Sequence, residues 1–332
     1  MVVVGSVSYE VNSCAINNHN YGSGVINNKL YTHRWKYLMA DSYTLTKKTP
    51  YADSVVVEFE LNKHAQGVNR NIMEKYQSLL TWKENESILD IGSGLGNTVK
   101  YILFPHVPKT FKELICSDIS REMVDFARTN FQDPKVSHLQ LDISTENLPC
   151  DLENRFDHVF SFFCFHWIQK PEQAMKNIHK MLKPGGEMFI TFMERNPFDQ
   201  PYKNLSKYEK WAKYGHEFFI SPFHHSNNSY DAWKDAVQKS APFEDCIFSL
   251  DETHFLYDDE KDFEDTWTAV NPIFNSIPDE DREEYQRDHM AELKGHPNNF
   301  IPVEIDKQQQ FKTEFNVMTI FGKKPYTKSS MI

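Results

Sequence analysis

Four short stretches carry residue types that could do chemistry. The run Asp90-Ile91-Gly92-Ser93-Gly94-Leu95-Gly96 sets a carboxylate two positions before three glycines spaced by single residues. Glycines in such a turn let backbone amides approach a ligand with no Cβ in the way, and a turn that opens a helix aims its N–H groups outward. A dinucleotide fingerprint would carry its third glycine one position later, where this chain has Asn97. Two further carboxylates, Asp118 and Asp142, each close an apolar run. The stretch Ser161-Phe162-Phe163-Cys164-Phe165-His166-Trp167 joins an aromatic wall to an imidazole. His216, His224 and His225 add candidate bases further on, although with fourteen histidines in the chain most are packing or surface residues.

Strands and helices must hold these groups. Ala65, Val68, Ile72, Met73, Tyr76, Leu79 and Leu80 recur at helical spacing between about Asn62 and Trp82. Ile88 to Ile91, Glu113 to Asp118, Val136 to Asp142, Phe156 to Phe162 and Glu187 to Phe192 then read as five strands. Helices are expected from near Leu95, after a Ser120 cap, and from Pro171 to Leu182, where Pro suits a first helical turn. That alternation means a parallel sheet with helices on both faces. Residues 194–241 are rich in Tyr, Trp, His and Asn, with Trp211 and Trp233 expected on helices. A strand over about 243–256, charged helical stretches at 259–275 and 279–294, and a last strand from Glu314 to Phe321 complete the reading. The two late strands bracket a helical insertion.

The G-x-G-x-G loop resembles motif I of class I S-adenosylmethionine methyltransferases. The resemblance implies a Rossmann-like α/β fold with a mostly parallel seven-stranded sheet, helices on both faces and a helical lid. It implies a cofactor, S-adenosyl-L-methionine, held by Asp90, Gly92, Ser93, Gly94 and Gly96. Asp118 with Ile119 would receive the ribose hydroxyls, Asp142 with Ile143 the adenine, and Ser161 would stand beside the methyl. The turn Lys183-Pro184-Gly185-Gly186 before the fifth strand is frequent in that superfamily. Residues after the fourth strand usually face the transferred methyl there, which makes Phe163, Phe165 and Trp167 an apolar wall suited to a lipophilic acceptor. The Asn/Asp-Pro-Pro-Tyr/Phe signature of adenine and protein-glutamine N-methyltransferases is absent, since Asn196-Pro197-Phe198 follows the fifth strand. Pro149-Cys150 resembles the nucleophile of cytosine-5 methyltransferases in two residues only.

A narrower resemblance rests on Phe156-Asp157-His158-Val159-Phe160-Ser161-Phe162, His166-Trp167-Ile168, Ile220-Ser221-Pro222-Phe223-His224 and Asn271-Pro272. In that order, across about residues 60–322, they are similar to the insect juvenile hormone acid methyltransferases and their paralogues. The resemblance implies methylation of the carboxylate of juvenile hormone acid or farnesoic acid. Trp167 and a Gln on the N-terminal helix would orient that carboxylate. Gln66 is the matching position and Asn69 the alternative. A carboxylate, with a pKa near ~4, is ionised at neutral pH and needs only positioning. The resemblance to some insect paralogues implies, as the alternative, a phenol acceptor such as 4-vinylphenol; a phenol, with a pKa near ~10, would benefit from a general base, for which His166 and His224 are the candidates. A non-catalytic, ligand-binding paralogue is the third reading, and the intact glycine loop with its three aspartates argues against it.

The balance of charge narrows the partners. A net charge of −11 without a long basic run disfavours nucleic acid and anionic membrane surfaces. No apolar run approaches the ~18 residues of a membrane span, and the start lacks the basic and apolar regions of a secretory signal. Cys14, Cys116, Cys150, Cys164 and Cys246 have no metal-ligand spacing and read as buried free thiols, so no metal is expected. A cytoplasmic enzyme, monomer or homodimer, is the expectation. Its weakly patterned extension would cover 1–55 and its catalytic domain 56–325, with a lid at about 257–300 over the acceptor.

Overall fold

The computed structural model describes residues 63–326; the expected 1–55 extension and Cys14 lie outside the described residues. Helix α1 (Lys63–Tyr76) turns Val68, Asn69, Ile72 and Met73 inward. Strands β1 (Ser87–Ile91), β2 (Glu113–Asp118), β3 (Val136–Gln140) and β4 (Phe156–Phe162) alternate with helix α2 (Arg121–Asn130) and, after β4, helix α3 (Pro171–Met181). Ser120 caps α2 as expected, its side chain accepting from the Met123 amide at 3.2 Å. Strand β5 (Leu182–Met193) is followed by α4 (Asp199–Leu205), α5 (Ser229–Ser240) and β6 (Glu244–Tyr257). Helices α6 (Glu260–Ala269) and α7 (Asp279–Gly295) then precede β7 (Ile301–Ile305) and β8 (Gln308–Lys323).

The sheet runs β3-β2-β1-β4-β5-β8-β6, with β7 paired to β8 off that path. It therefore has eight strands among the described residues rather than the seven expected. Strands β3, β2, β1, β4 and β5 run parallel to one another, and β8 is antiparallel to β5, β6 and β7. The extra strand is short and mostly exposed, and its hairpin turns on Asp306 and Lys307, both at positive φ (52° and 66°). Asn-Gly usually signals such a turn, so nothing in the sequence marked it. The helix after the glycine loop also differs from expectation: it passes into a π-helical stretch, Val99–Leu103, and a 3-10 turn, Phe104–His106. Pro105 has no N–H to continue an α-helical ladder. Trp211 lies in a turn rather than a helix, its indole N–H donating to Asp288 Oδ2 at 2.8 Å.

Two apolar cores flank the sheet. One joins Phe160, Phe162 and Phe189 to α1, α4, α6 and α7. The other joins Leu89, Ile91, Val159 and Phe192 to α3 and α5, where Trp233 packs 4.5 Å from Phe192. Each fully buried Leu, Ile or Phe contributes about 1.5–3 kcal/mol. The thiols divide: Cys116 is buried, Cys150 exposed, and Cys164 and Cys246 half-buried, so burial was over-expected. At the base of the sheet His158 stands between two buried glutamates, Nε2 at 3.1 Å from Glu86 and Nδ1 at 3.5 Å from Glu187.

Candidate active site

In a doubly wound sheet the ligand crevice opens where strand order reverses, beyond the carboxyl ends of the strands. Here the reversal falls between β1 and β4. The Gly92–Gly96 loop leaves β1 and the Phe163–Trp167 segment leaves β4, so the topology delivers both chemical stretches to one crevice.

The loop is shaped for a ligand on one side only. Gly92 has φ +71°, and a Cβ there would meet Cys164 Sγ at 2.3 Å, which closes that side. Gly94 has φ +52°, and a Cβ there would meet nothing within 4 Å, so its face is open. Asp90 is 2% exposed; its Oδ2 accepts from Ser93 Oγ at 2.7 Å while its Oδ1 is buried without a partner. Burial pushes the Asp90 carboxyl up to about 8, with Asp118 adding to the rise and Ser93 opposing it. Asp118 accepts from the Gly94 and Ser120 amides, both at 2.9 Å, and desolvation holds its carboxyl above the usual range. Beside it, Ile119 is half-buried, and its carbonyl accepts from Gln140 Nε2 at 3.0 Å. Asp142 Oδ1 accepts from the Ser144 amide at 2.8 Å, next to buried Ile143. A buried carboxyl kept neutral, with one oxygen free, fits a cationic ligand that would restore its charge. The donor set therefore suits S-adenosylmethionine, whose ammonium and sulfonium are cationic. Ser161 is different: it is wholly buried and its hydroxyl donates to the Ile91 carbonyl at 2.9 Å. That bond ties β4 to β1, a sheet contact rather than the ligand contact expected.

On the acceptor side, Phe163 has φ +52°. For a bulky residue this is a strained conformation, which clusters at functional sites. Its ring faces Phe255 and Phe315, each at 6.3 Å. Trp167 is half-buried, 5.0 Å from the His166 ring, 5.9 Å from Phe198 and 6.4 Å from Phe219. His166 is 3% exposed with Nδ1 unpartnered, and burial alone pushes its pKa down to about 3. It is a neutral imidazole across the ordinary pH range. Phe165 corrects another expectation: it is 1% exposed and packs 5.9 Å from Phe192 in the opposite core, because the chain leaves β4 through the left-handed Phe163 into a 3-10 turn, Phe165–Trp167, that breaks the strand's alternation. His224 follows a segment tied to the one after β4 by Gln169 Nε2, which donates to the Ile220 carbonyl at 2.9 Å. Its Nδ1 is 3.6 Å from Asp199 Oδ2. Asp199 is itself buried and accepts from the Ser221 amide at 2.7 Å and the Asn196 amide at 3.1 Å. On α1, Gln66 is half-buried, whereas Asn69 is 1% exposed with Oδ1 unpartnered.

A family model described as a methyltransferase domain matches residues 89–190. The juvenile hormone acid O-methyltransferase of Drosophila melanogaster is 30% identical over 274 residues, 80% of this chain and 91% of that protein. The chain belongs to the juvenile hormone acid O-methyltransferase family. The Bombyx mori member is 29% identical over 260 residues, 76% of this chain and 90% of its own length. Among solved structures, a methyltransferase of Bacillus halodurans superposes with TM-score 0.50 at 18% identity, covering 76% of this chain and 98% of that one. The phosphoethanolamine N-methyltransferase 2 of Haemonchus contortus also reaches 0.50, at 16% identity, covering 86% of this chain and 60% of that one. Both carry the same Rossmann-like fold. The protein is an S-adenosylmethionine-dependent methyltransferase, and no helix among the described residues is long and apolar enough to cross a membrane.

Sequence reasoning missed Asp199, Phe255, Phe315 and Trp267, whose ring lies 5.1 Å from the Phe198 ring that neighbours Trp167. Asp199 follows Asn196-Pro197-Phe198 in an unremarked stretch, and the three aromatics come from elements far along the chain. A Phe-rich composition was the only signal for them.

Proposed function

We propose that this enzyme methylates the carboxylate of a small lipophilic acid, of the kind represented by juvenile hormone acid or farnesoic acid. The observation that carries this reading is the state of His166. Lodged beside Trp167 and Phe163, it is too weak a base, at about 3, to take a phenol's proton. A carboxylate needs no base, and a neutral imidazole N–H suits it as a hydrogen-bond donor. The family name of the Drosophila and Bombyx relatives supports the same acceptor.

In this reading Asp90, Ser93, the three loop glycines, Asp118 with Ile119, and Asp142 with Ile143 hold S-adenosylmethionine, which supplies an electrophilic methyl. Trp167 and His166 orient the acceptor oxygen, and Phe163 walls it from water. From α1 the buried Asn69 rather than the half-buried Gln66 reaches it, its Nδ2–H being the side-chain group able to donate to a carboxylate. Residues 257–300 act as the lid over a cytoplasmic enzyme's pocket.

A phenol acceptor has one specific observation in its favour, the His224–Asp199 pair at 3.6 Å. Transfer of labelled methyl to farnesoic acid and to 4-vinylphenol, measured side by side, separates the two. Transfer to the acid alone is expected. Transfer to the phenol alone overturns the reading and makes His224 the base to replace.

A further inference from the structure

Three consecutive residues hold the segment that follows α1 against the amino ends of the strands, opposite the crevice. The Thr81 amide donates to Glu187 Oε2 and the Lys83 amide to Glu86 Oε2, both at 2.9 Å. Between them the Trp82 ring packs 4.3 Å from the His158 ring and 6.0 Å from Phe160. Both glutamates are buried, and a buried carboxylate left without partners is costly. His158, on β4, joins the two. A carboxylate only accepts, so the ring's Nε2, 3.1 Å from Glu86 Oε2, is a donor. Nδ1 lies 3.5 Å from Glu187 Oε2, the oxygen that takes the Thr81 amide. Lys323 meets the other oxygen of Glu187, at 3.1 Å. One imidazole thus sets both carboxylates that grip the chain at Thr81 and Lys83.

From His158 a column of rings runs along one face of β4 toward the crevice. Phe160 stands 6.1 Å from His158, and Phe162 stands 6.1 Å from Phe160 with the two rings 3° from parallel. The inward residues Val68, Ile72 and Met73 of α1 belong to the core built on Phe160 and Phe162, and Phe163 and Trp167 pack against that core. On its other flank α1 is tied to the edge strand, where the Tyr76 hydroxyl donates to Asp251 Oδ2 at 2.7 Å. The glycine loop is anchored separately, through Ser93 to Asp90 and Gly94 to Asp118.

We propose that His158 is a positioning residue for the acceptor. Through Glu86 and Glu187 it latches residues 81–83 to the base of the sheet, and so fixes where α1 stands over the crevice. It touches neither ligand. The inference rests on the proposed acceptor site, to which α1 contributes Asn69. Because the cofactor loop has its own anchors, loosening the latch should weaken acceptor binding and spare cofactor binding.

Hydrogen exchange of the unmodified enzyme tests the latch with no acceptor and no variant. The Thr81 and Lys83 amides are expected to exchange together with the amides of residues 69–76, through one shared opening; rates that differ by more than about tenfold overturn the inference. Two variants then test positioning. His158→Leu removes the donor and His158→Gln restores one. With Leu, KM for farnesoic acid should rise about tenfold, the effect of one hydrogen bond to a charged group, while kcat and affinity for S-adenosylhomocysteine change less than about twofold. With Gln, KM should return toward the unmodified value. The amides of α5, in the opposite core, should keep their exchange rates in both variants. Faster exchange that includes α5, equal losses of acceptor and cofactor affinity, or no recovery with Gln would mark a merely structural role and overturn the inference. If the unmodified enzyme transfers no methyl to farnesoic acid, the carboxylate reading alone is refuted, and the exchange rates still decide the latch.

Discussion

Replacing Asp90 with Asn should make the free enzyme more stable and its cofactor binding weaker, both in a pH-dependent way. The carboxyl is held up to about 8 by burial, against an ordinary value of 3.8. Between about pH 4 and 8 the folded protein keeps a proton that the unfolded chain has lost, so wild-type stability falls as pH rises through that window and levels above it. The full displacement corresponds to on the order of 5 kcal/mol, an upper bound because local relaxation reduces it. Asn has the same shape and never ionises, so Asp90→Asn should gain little at about pH 5 and a few kcal/mol by about pH 8. Binding runs the other way. A cationic ligand needs the ionised carboxylate, and each pH unit below about 8 costs the wild type roughly 1.4 kcal/mol, or tenfold, to remove the proton. The cofactor's own ammonium titrates near ~8, so the readout is the affinity of wild type relative to variant at each pH. Urea unfolding of the free proteins and calorimetric titration with S-adenosylmethionine supply both numbers. A stability gain that is the same at acid and alkaline pH, or an affinity ratio that does not change with pH, would refute the reasoning.

Other consequences are open to direct measurement. Asn271→Ala strands Tyr202, Tyr285, His289 and the Ile273 amide, and should cost about 3–5 kcal/mol in urea unfolding; a loss under about 1 kcal/mol would show that the network carries no stability. Phe163→Gly relieves a left-handed backbone worth about 1 kcal/mol but removes the pocket wall, so acceptor KM should rise about tenfold while cofactor affinity changes less than about twofold. Equal effects on both ligands would contradict that division. His166 and His289 are held near 3 and His216 near 4, all by burial. The unfolded chain therefore takes up these protons first, and stability should fall as pH drops below about 6.5, by up to roughly 1.4 kcal/mol per pH unit for each ring. His166→Phe should make that fall shallower. An unchanged slope would mean that His166 is protonated in the folded state.

The glycine loop, its three aspartates and the five parallel strands were legible in the chain because their determinants are local. A strand buried on both faces is a continuous apolar run, and a left-handed turn favours glycine. Order along the chain then gave the class of sheet and the place of its crevice. Strand β7 was not legible, since Asp306 and Lys307 adopt a hairpin turn that their types do not announce. Nor were side-chain facing and protonation. Phe163 and Phe165 are alike in sequence, yet one lines the crevice and the other fills the far core, according to how the chain leaves β4. Gln66 and Asn69 were interchangeable until α1 docked on the sheet and buried one of them. His166 looked like a base, and only the density of rings around it makes it a neutral donor. Sequence determined which groups reach the carboxyl ends of the strands, because backbone propensity and apolar periodicity are short-range properties. Tertiary structure alone decided their charge and partners, because desolvation and hydrogen bonding depend on residues brought in from as far away as α7.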